Sequence, residues 1–149
     1  MKQEIVMRGQ TASGGIETLE FSGIQIENKN MAYTITEFVL YPASPEGSEN
    51  LFGSITAGKT ALDPTVPNFN NESLIATAMK AYNTGSQDGS IESNIVNDTF
   101  LITQNLILMV MSPVTSEPVN WQCRFKAVKM TDAEMAANNF KQYMISDGS

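Results

Sequence analysis

Between Asn120 and Lys129 apolar and polar residues alternate: Trp121, Cys123, Phe125 and Ala127 on one side, Asn120, Gln122, Arg124 and Lys126 on the other. A period of two puts successive side chains on opposite faces of an extended chain, so this stretch predicts a half-buried antiparallel strand, with Val119 joining its apolar face. The same period recurs in Met31–Tyr41, rich in Tyr, Thr, Ile, Phe and Val. In Ser73–Asn83, Leu74, Ala76, Ala78 and Tyr82 share one side and Ile75 and Met79 the other, although its Ala, Met and Lys content leaves a helix open. Leu51–Thr56 and Ile16–Ile26 are further strand candidates. Thr99–Met111 is apolar on both faces, with Phe100, Ile102, Leu106, Leu108 and Val110 opposed to Leu101, Ile107, Met109 and Met111. Such a strand is central and covered on both sides, or one side meets another subunit.

Turn signals separate these strands at residues 28–30, 42–47, 63–67, 83–90 and 113–118. Short strands between regular turns predict an all-β fold, an antiparallel β-sandwich of jelly-roll type. Residues 9–15, Gly-Gln-Thr-Ala-Ser-Gly-Gly, are polar and glycine-rich. The reading is a flexible N-terminal arm over 1–15 and a single domain over 16–149. Thr131-Asp132-Ala133-Glu134 is a capping box flanked by Met130 and Met135 at hydrophobic-staple positions. A helix over about 131–145 follows, with Ala133, Ala136, Ala137, Phe140, Tyr143 and Met144 on its 3.6-residue period.

Residues 53–60 spell the phosphate-loop pattern G-x-x-x-x-G-K-[ST], with Gly53, Gly58, Lys59 and Thr60 at its fixed positions. That chemistry needs a buried strand before the loop and a helix after it, whose N-terminal N–H groups hold the anion. Here turn material precedes Leu51, and Pro64 and Pro67 stop any helix soon after the motif. The bland alternative is a strand, Leu51–Thr56, running into a turn at Gly58.

Other chemistry finds little purchase. Histidine is absent and Cys123 is the one cysteine, which removes the commonest general base, a disulfide framework and a thiol metal site. The acids Glu46, Glu49, Asp63, Asp88, Glu92 and Asp98 are scattered in or beside loops, and Asp88-Gly89 lacks calcium-loop order. No residue is therefore assigned a catalytic, cofactor-binding or metal-ligating role. Net charge is −7, and from Pro42 to Pro118 eight acids face only Lys59 and Lys80, a balance opposed to nucleic-acid binding. Arg124, Lys126, Lys129 and Lys141 are a local basic exception. The apolar stretches are too short to span a bilayer, and residues 1–9 show no apolar signal core, so synthesis in a cytoplasm is expected. Asn71-Glu72-Ser73 and Asn97-Asp98-Thr99 match the glycosylation sequon and read as loops. Trp121 with Tyr33, Tyr41 or Tyr82 offers a sugar-stacking alternative, against which stands the core-like face that Trp121 shares with Cys123 and Phe125.

Sparse charge, abundant Ser, Thr and Asn, absent His, sandwich-like strand order and a short end helix together resemble the virion structural proteins of tailed bacteriophages, particularly capsid decoration or cement proteins and other β-rich head or tail components. The resemblance implies a non-enzymatic protein of the virion, assembled in the host cytoplasm. Its implied partners are copies of itself, a trimer being one such assembly, and major capsid or other virion proteins. The candidate interface is Leu101, Ile107, Met109, Met111 and Phe140. The arm is expected to supply further contacts, so deleting residues before Ile16 is expected to spare folding and weaken assembly. The alternatives are a carbohydrate-binding β-sandwich module and, behind it, a nucleotide-binding protein using Gly53 to Thr60.

Overall fold

Alternating stretches of this chain become strands because each has one face that water disfavours. The computed structural model describes residues 3–21, 31–44, 49–82, 90–131, 133, 134, 136 and 137. Among them run β1 (Glu4–Thr11), β2 (Ile16–Leu19), β3 (Met31–Pro42), β4 (Glu49–Thr56), β5 (Leu74–Tyr82), β6 (Ser90–Val96), β7 (Leu106–Met111) and β8 (Val119–Lys129). All pairings are antiparallel, in a three-stranded sheet of order β1-β8-β3 and a five-stranded sheet of order β2-β7-β4-β5-β6.

The alternation in β8 sets the inner face of the smaller sheet. Trp121 is paired with Gly9 and Leu40, Cys123 with Met7 and Phe38, and Phe125 with Ile5 and Ile35. The larger sheet contributes Leu19, Leu51, Ile55, Ala76, Ala78, Leu106, Leu108 and Val110, and both sets belong to one buried apolar cluster. Phe21 joins them from the end of β2's segment, edge-on to Phe125 at 4.8 Å and tilted against Tyr33 at 5.7 Å. Burying these side chains stabilises the fold at about 1.5–3 kcal/mol each for the larger ones, before conformational entropy is counted.

The flexible arm expected over residues 1–15 is replaced, over Glu4–Thr11, by edge strand β1 in continuous register with β8. Its alternation was hard to see because its inner positions are Ile5, Met7, Gly9 and Thr11, a face diluted by a glycine and a threonine. Gly9 is small because the Trp121 ring lies on it: a Cβ there would sit 2.9 Å from Cζ2. The indole Nε1–H donates to Thr11 Oγ1 at 2.9 Å, and that hydroxyl donates onward to Glu17 Oε1 at 3.1 Å. The corner that follows is also specific. Gly14 has φ +81°, which an L side chain rarely adopts, and its N–H bonds the Val110 carbonyl at 2.7 Å.

Thr99–Met111 also divides. Only Leu106–Met111 is strand; Phe100–Thr103 instead approaches β3, where Ile102 and Tyr33 exchange two backbone hydrogen bonds of 2.7 and 3.0 Å. Strand β6 follows the expected 83–90 turn region and has no counterpart in the sequence reading. The capping box forms as expected: Glu134 N–H donates to Thr131 Oγ1 and Thr131 N–H to Glu134 Oε1. Residues 133, 134, 136 and 137 are helical; Met135, Phe140 and the remainder of the expected 131–145 helix lie outside the described residues.

Candidate functional site

The phosphate-loop string does not fold as a phosphate loop. Gly53 lies within β4, paired to Val110 on one side and Ala78 on the other, so its backbone belongs to the sheet ladder. A Cβ at Gly53 would meet Phe38 Cζ at 2.8 Å and Leu40 Cδ2 at 3.1 Å, so glycine here serves packing between the sheets. Ser54, Ile55 and Thr56 complete the strand, and residues 57–60 form a bend. Lys59 and Thr60 are exposed on it, and among the described residues no helix follows to present N–H groups to an anion.

Several polar groups of chemically competent type are committed to local structure. Asp63 Oδ1 accepts both the N–H and the hydroxyl of Thr65, which holds its carboxyl below the usual range. Asn71 Oδ1 does the same for Ser73, and Asn97 Oδ1 for Thr99, so both sequons are side-chain-closed turns. Glu49 is buried, with Oε1 accepting its neighbour's Asn50 N–H and Oε2 accepting the Thr115 hydroxyl. Glu46 and Asp88 lie outside the described residues. Among the described residues no cluster of His, Cys, Asp and Glu is placed to hold a metal ion. Burial, assisted by the charge of Glu37, pushes the Cys123 thiol up to about 12.

The expected interface residues separate into two groups. Ile107, Met109 and Met111 do share the outer face of β7, each half-buried. Leu101 does not join them; it stands outside β7, beside the Ile102 bridge. The neighbours of the three were invisible in the sequence because only register supplies them. One row across the sheet reads Ile16, Met109, Ser54, Thr77, Ile95, and the next reads Met111, Phe52, Met79, Ser93. The segment between β4 and β5 closes over part of this face: Ser54 Oγ donates to the Leu62 carbonyl at 2.7 Å and Thr56 Oγ1 to that of Thr60 at 3.4 Å. The rest of the face carries a stripe without charge, made of exposed Ile16 and half-buried Met109, Met111, Phe52 and Met79. Ile16 is 57% exposed.

The outer face of the smaller sheet is different. A shallow groove of about 500 Å³ crosses it, lined in part by Arg8, Val39, Tyr41, Asn120 and Gln122. Much of its polarity is already used. Asn120 accepts from Gln10 Nε2 at 2.9 Å and donates to the Pro42 carbonyl at 3.3 Å, while Gln122 Nε2 donates to Glu37 Oε1 at 3.2 Å. Tyr41 is 55% exposed, with Lys80 Nζ 5.2 Å from its ring centroid. Trp121 and Tyr33 are buried and the Tyr82 side chain lies outside the described residues, so among the described residues Tyr41 is the aromatic that this face offers a sugar. No protein-family model matches the sequence, and no curated protein matches it significantly.

Proposed function

We propose that this chain is a non-enzymatic structural protein that associates with copies of itself and attaches to the surface of a larger particle. The observation that carries the reading is the uncharged outer stripe of Ile16, Phe52, Met79, Met109 and Met111 on the five-stranded sheet. A contiguous apolar stripe that keeps part of its surface in water supports an interaction site, and flexible methionines suit it to an adaptable contact. The narrower attribution, a bacteriophage capsid or tail component with major capsid or other virion proteins as partners, is supported by the compositional resemblance alone.

A sandwich of jelly-roll order accompanies this proposal. The pairings β1-β8-β3 and β2-β7-β4-β5 support it, since two successive Greek keys generate that exchange of strands between sheets. The departure is β6. In the complete order it would flank β3; here it stays with β5, and the Tyr33–Ile102 bridge is what joins the following segment to β3.

Light scattering from micromolar to near-millimolar protein tests the function. A discrete assembly, with association weakened about tenfold or more in Met109→Lys, is the expected result. A strict monomer across the range would remove self-association. A carbohydrate-binding reading has one supporting observation, the exposed Tyr41 over the Arg8–Gln122 groove, and Tyr41→Ala with an immobilised glycan panel addresses it.

A further inference from the structure

Among the described residues the two sheets leave four strand edges, and three of them carry features that discourage pairing with another chain. Strand β1 alternates Glu4 and Arg8 along its outer face, and β2 is only four residues long. Strand β3 has a register shift between Ile35 and Glu37, is engaged at Tyr33 by Ile102, and ends at Pro42. Charge, shortness, bulges and proline are the usual protections of an edge. Strand β6 has one of them, the charge of Glu92 on its inner side, and Lys80 Nζ lies 3.8 Å from that carboxylate. It is seven residues long, regular in its pairing with β5, and free of proline and of Lys or Arg. Its outer face instead presents Ile91 at 68% and Ile95 at 48% exposure, with Phe69 beside Ile95 in a shallow depression.

The residues of this edge complement themselves. Resting on the self-association proposed above, we infer that β6 pairs antiparallel with β6 of a second copy about a two-fold axis at Ser93. In that register Ile91 meets the partner's Ile95, Glu92 meets the partner's Asn94, and Ser93 meets the partner's Ser93. One face of the joint therefore becomes an isoleucine cluster. On the other face the carboxylate meets an amide donor. Asn94 Nδ2 already donates to Glu92 Oε1 of its own chain at 2.8 Å, and its second N–H is available to the partner. Lys80 Nζ, 3.8 Å from Glu92 Oε2, offsets the carboxylate in each copy. A parallel in-register pair would set Glu92 against Glu92, and a two-residue slip would set Ile91 against Ser93. The antiparallel register avoids both. The pairing makes the two five-stranded sheets continuous.

Three variants at exposed positions test the register. Directly opposed Cβ atoms lie about 4.5–5.5 Å apart, so Ser93→Cys is expected to form an interchain disulfide under mild oxidation. Cys123 is buried and does not compete. The double variant Ile91→Lys/Ile95→Lys, which opposes like charges, is expected to halve the native mass. Ile91→Glu/Ile95→Lys, which opposes unlike charges only in this register, is expected to keep it. Circular dichroism matching the parent protein establishes that each variant is folded. If the doubly basic variant keeps the native mass and Ser93→Cys does not cross-link, the β6 joint is overturned while self-association through the Met109 face stands. If Met109→Lys has no effect but the β6 variants behave as expected, the face reading fails and the joint stands. A wild-type monomer at every concentration overturns both.

Discussion

Gly53 and Cys123 show how far a residue's neighbours can redirect its apparent meaning. Gly53 opens a nucleotide-binding string in the sequence, yet in the fold it is the thin place in β4 against which Phe38 and Leu40 pack. Cys123 is inert for a related reason. Desolvation first, and the negative charge of Glu37 second, favour the neutral thiol. In the unfolded chain a cysteine ionises near about 8.5, so between that value and about 12 the folded protein holds the proton that the unfolded one has lost. Stability from this group is fully present below about pH 8 and falls as pH rises through the interval, by roughly 3–5 kcal/mol at its upper end. Urea midpoints from pH 8 to pH 11 check this: the parent protein is expected to lose more stability than Cys123→Ala. Tyr33, whose hydroxyl is also held above its usual range by burial, titrates in both proteins and cancels in the comparison. Equal slopes would place the pH sensitivity elsewhere.

Among the elements, β1 changes the expected consequence of a truncation. Reading residues 1–15 as an arm predicts that their removal spares folding. The ladder from Glu4↔Lys126 to Thr11↔Val119 reverses that expectation. Removing residues 1–11 takes Ile5 and Met7 from the core margin, uncovers Trp121, and leaves the indole N–H without the Thr11 hydroxyl. The combined loss is expected to exceed about 4 kcal/mol, given about 1.5–3 kcal/mol for each buried apolar side chain and a further cost for the orphaned donor. Chemical denaturation of the truncated chain measures it; a midpoint unchanged from the full chain would show that β1 is dispensable. Strand legibility followed the strength of the inner face. Strands β3 and β8 were readable because large or β-branched residues recur every second position, and β4 and β5 because Leu51 and Ile55, and Leu74, Ala76 and Ala78, keep one side apolar. Strand β6 was not, since Glu92 and Asn94 occupy its inward side and its isoleucines face outward, a pattern that reads as loop.

For the whole molecule, charge and association act against each other. The chain carries −7, whereas the open stripe and the outer row of β6 contain no ionisable side chain. Copies therefore repel at long range and attract through apolar contact at short range. Salt screens the first within about 8–10 Å at physiological strength and leaves the second in place. Association measured by light scattering is accordingly expected to strengthen from low salt to half-molar sodium chloride. Weakening over that range would show that ion pairs, rather than apolar surface, hold the assembly. The partial jelly-roll order matters here as well, because among the described residues β6 pairs with β5 and ends the five-stranded sheet.

The class of fold, the main strands and the capping box were determined by the sequence itself, because they depend on local quantities: alternation of period two, turn residues, and a threonine three residues before a glutamate. The same local pattern also marked Ile107, Met109 and Met111 as facing away from Leu106, Leu108 and Val110. Which residues stand beside them was decided only by tertiary structure. Ile16, Phe52 and Met79 come from β2, β4 and β5 and join the stripe through cross-strand register, a relation between segments distant in the chain. Tertiary structure likewise separated Leu101 from that face and turned a glycine-rich arm into β1. It made Gly53 a packing residue as well. In each case the deciding energy is a long-range contact, to which no window of neighbouring residues has access.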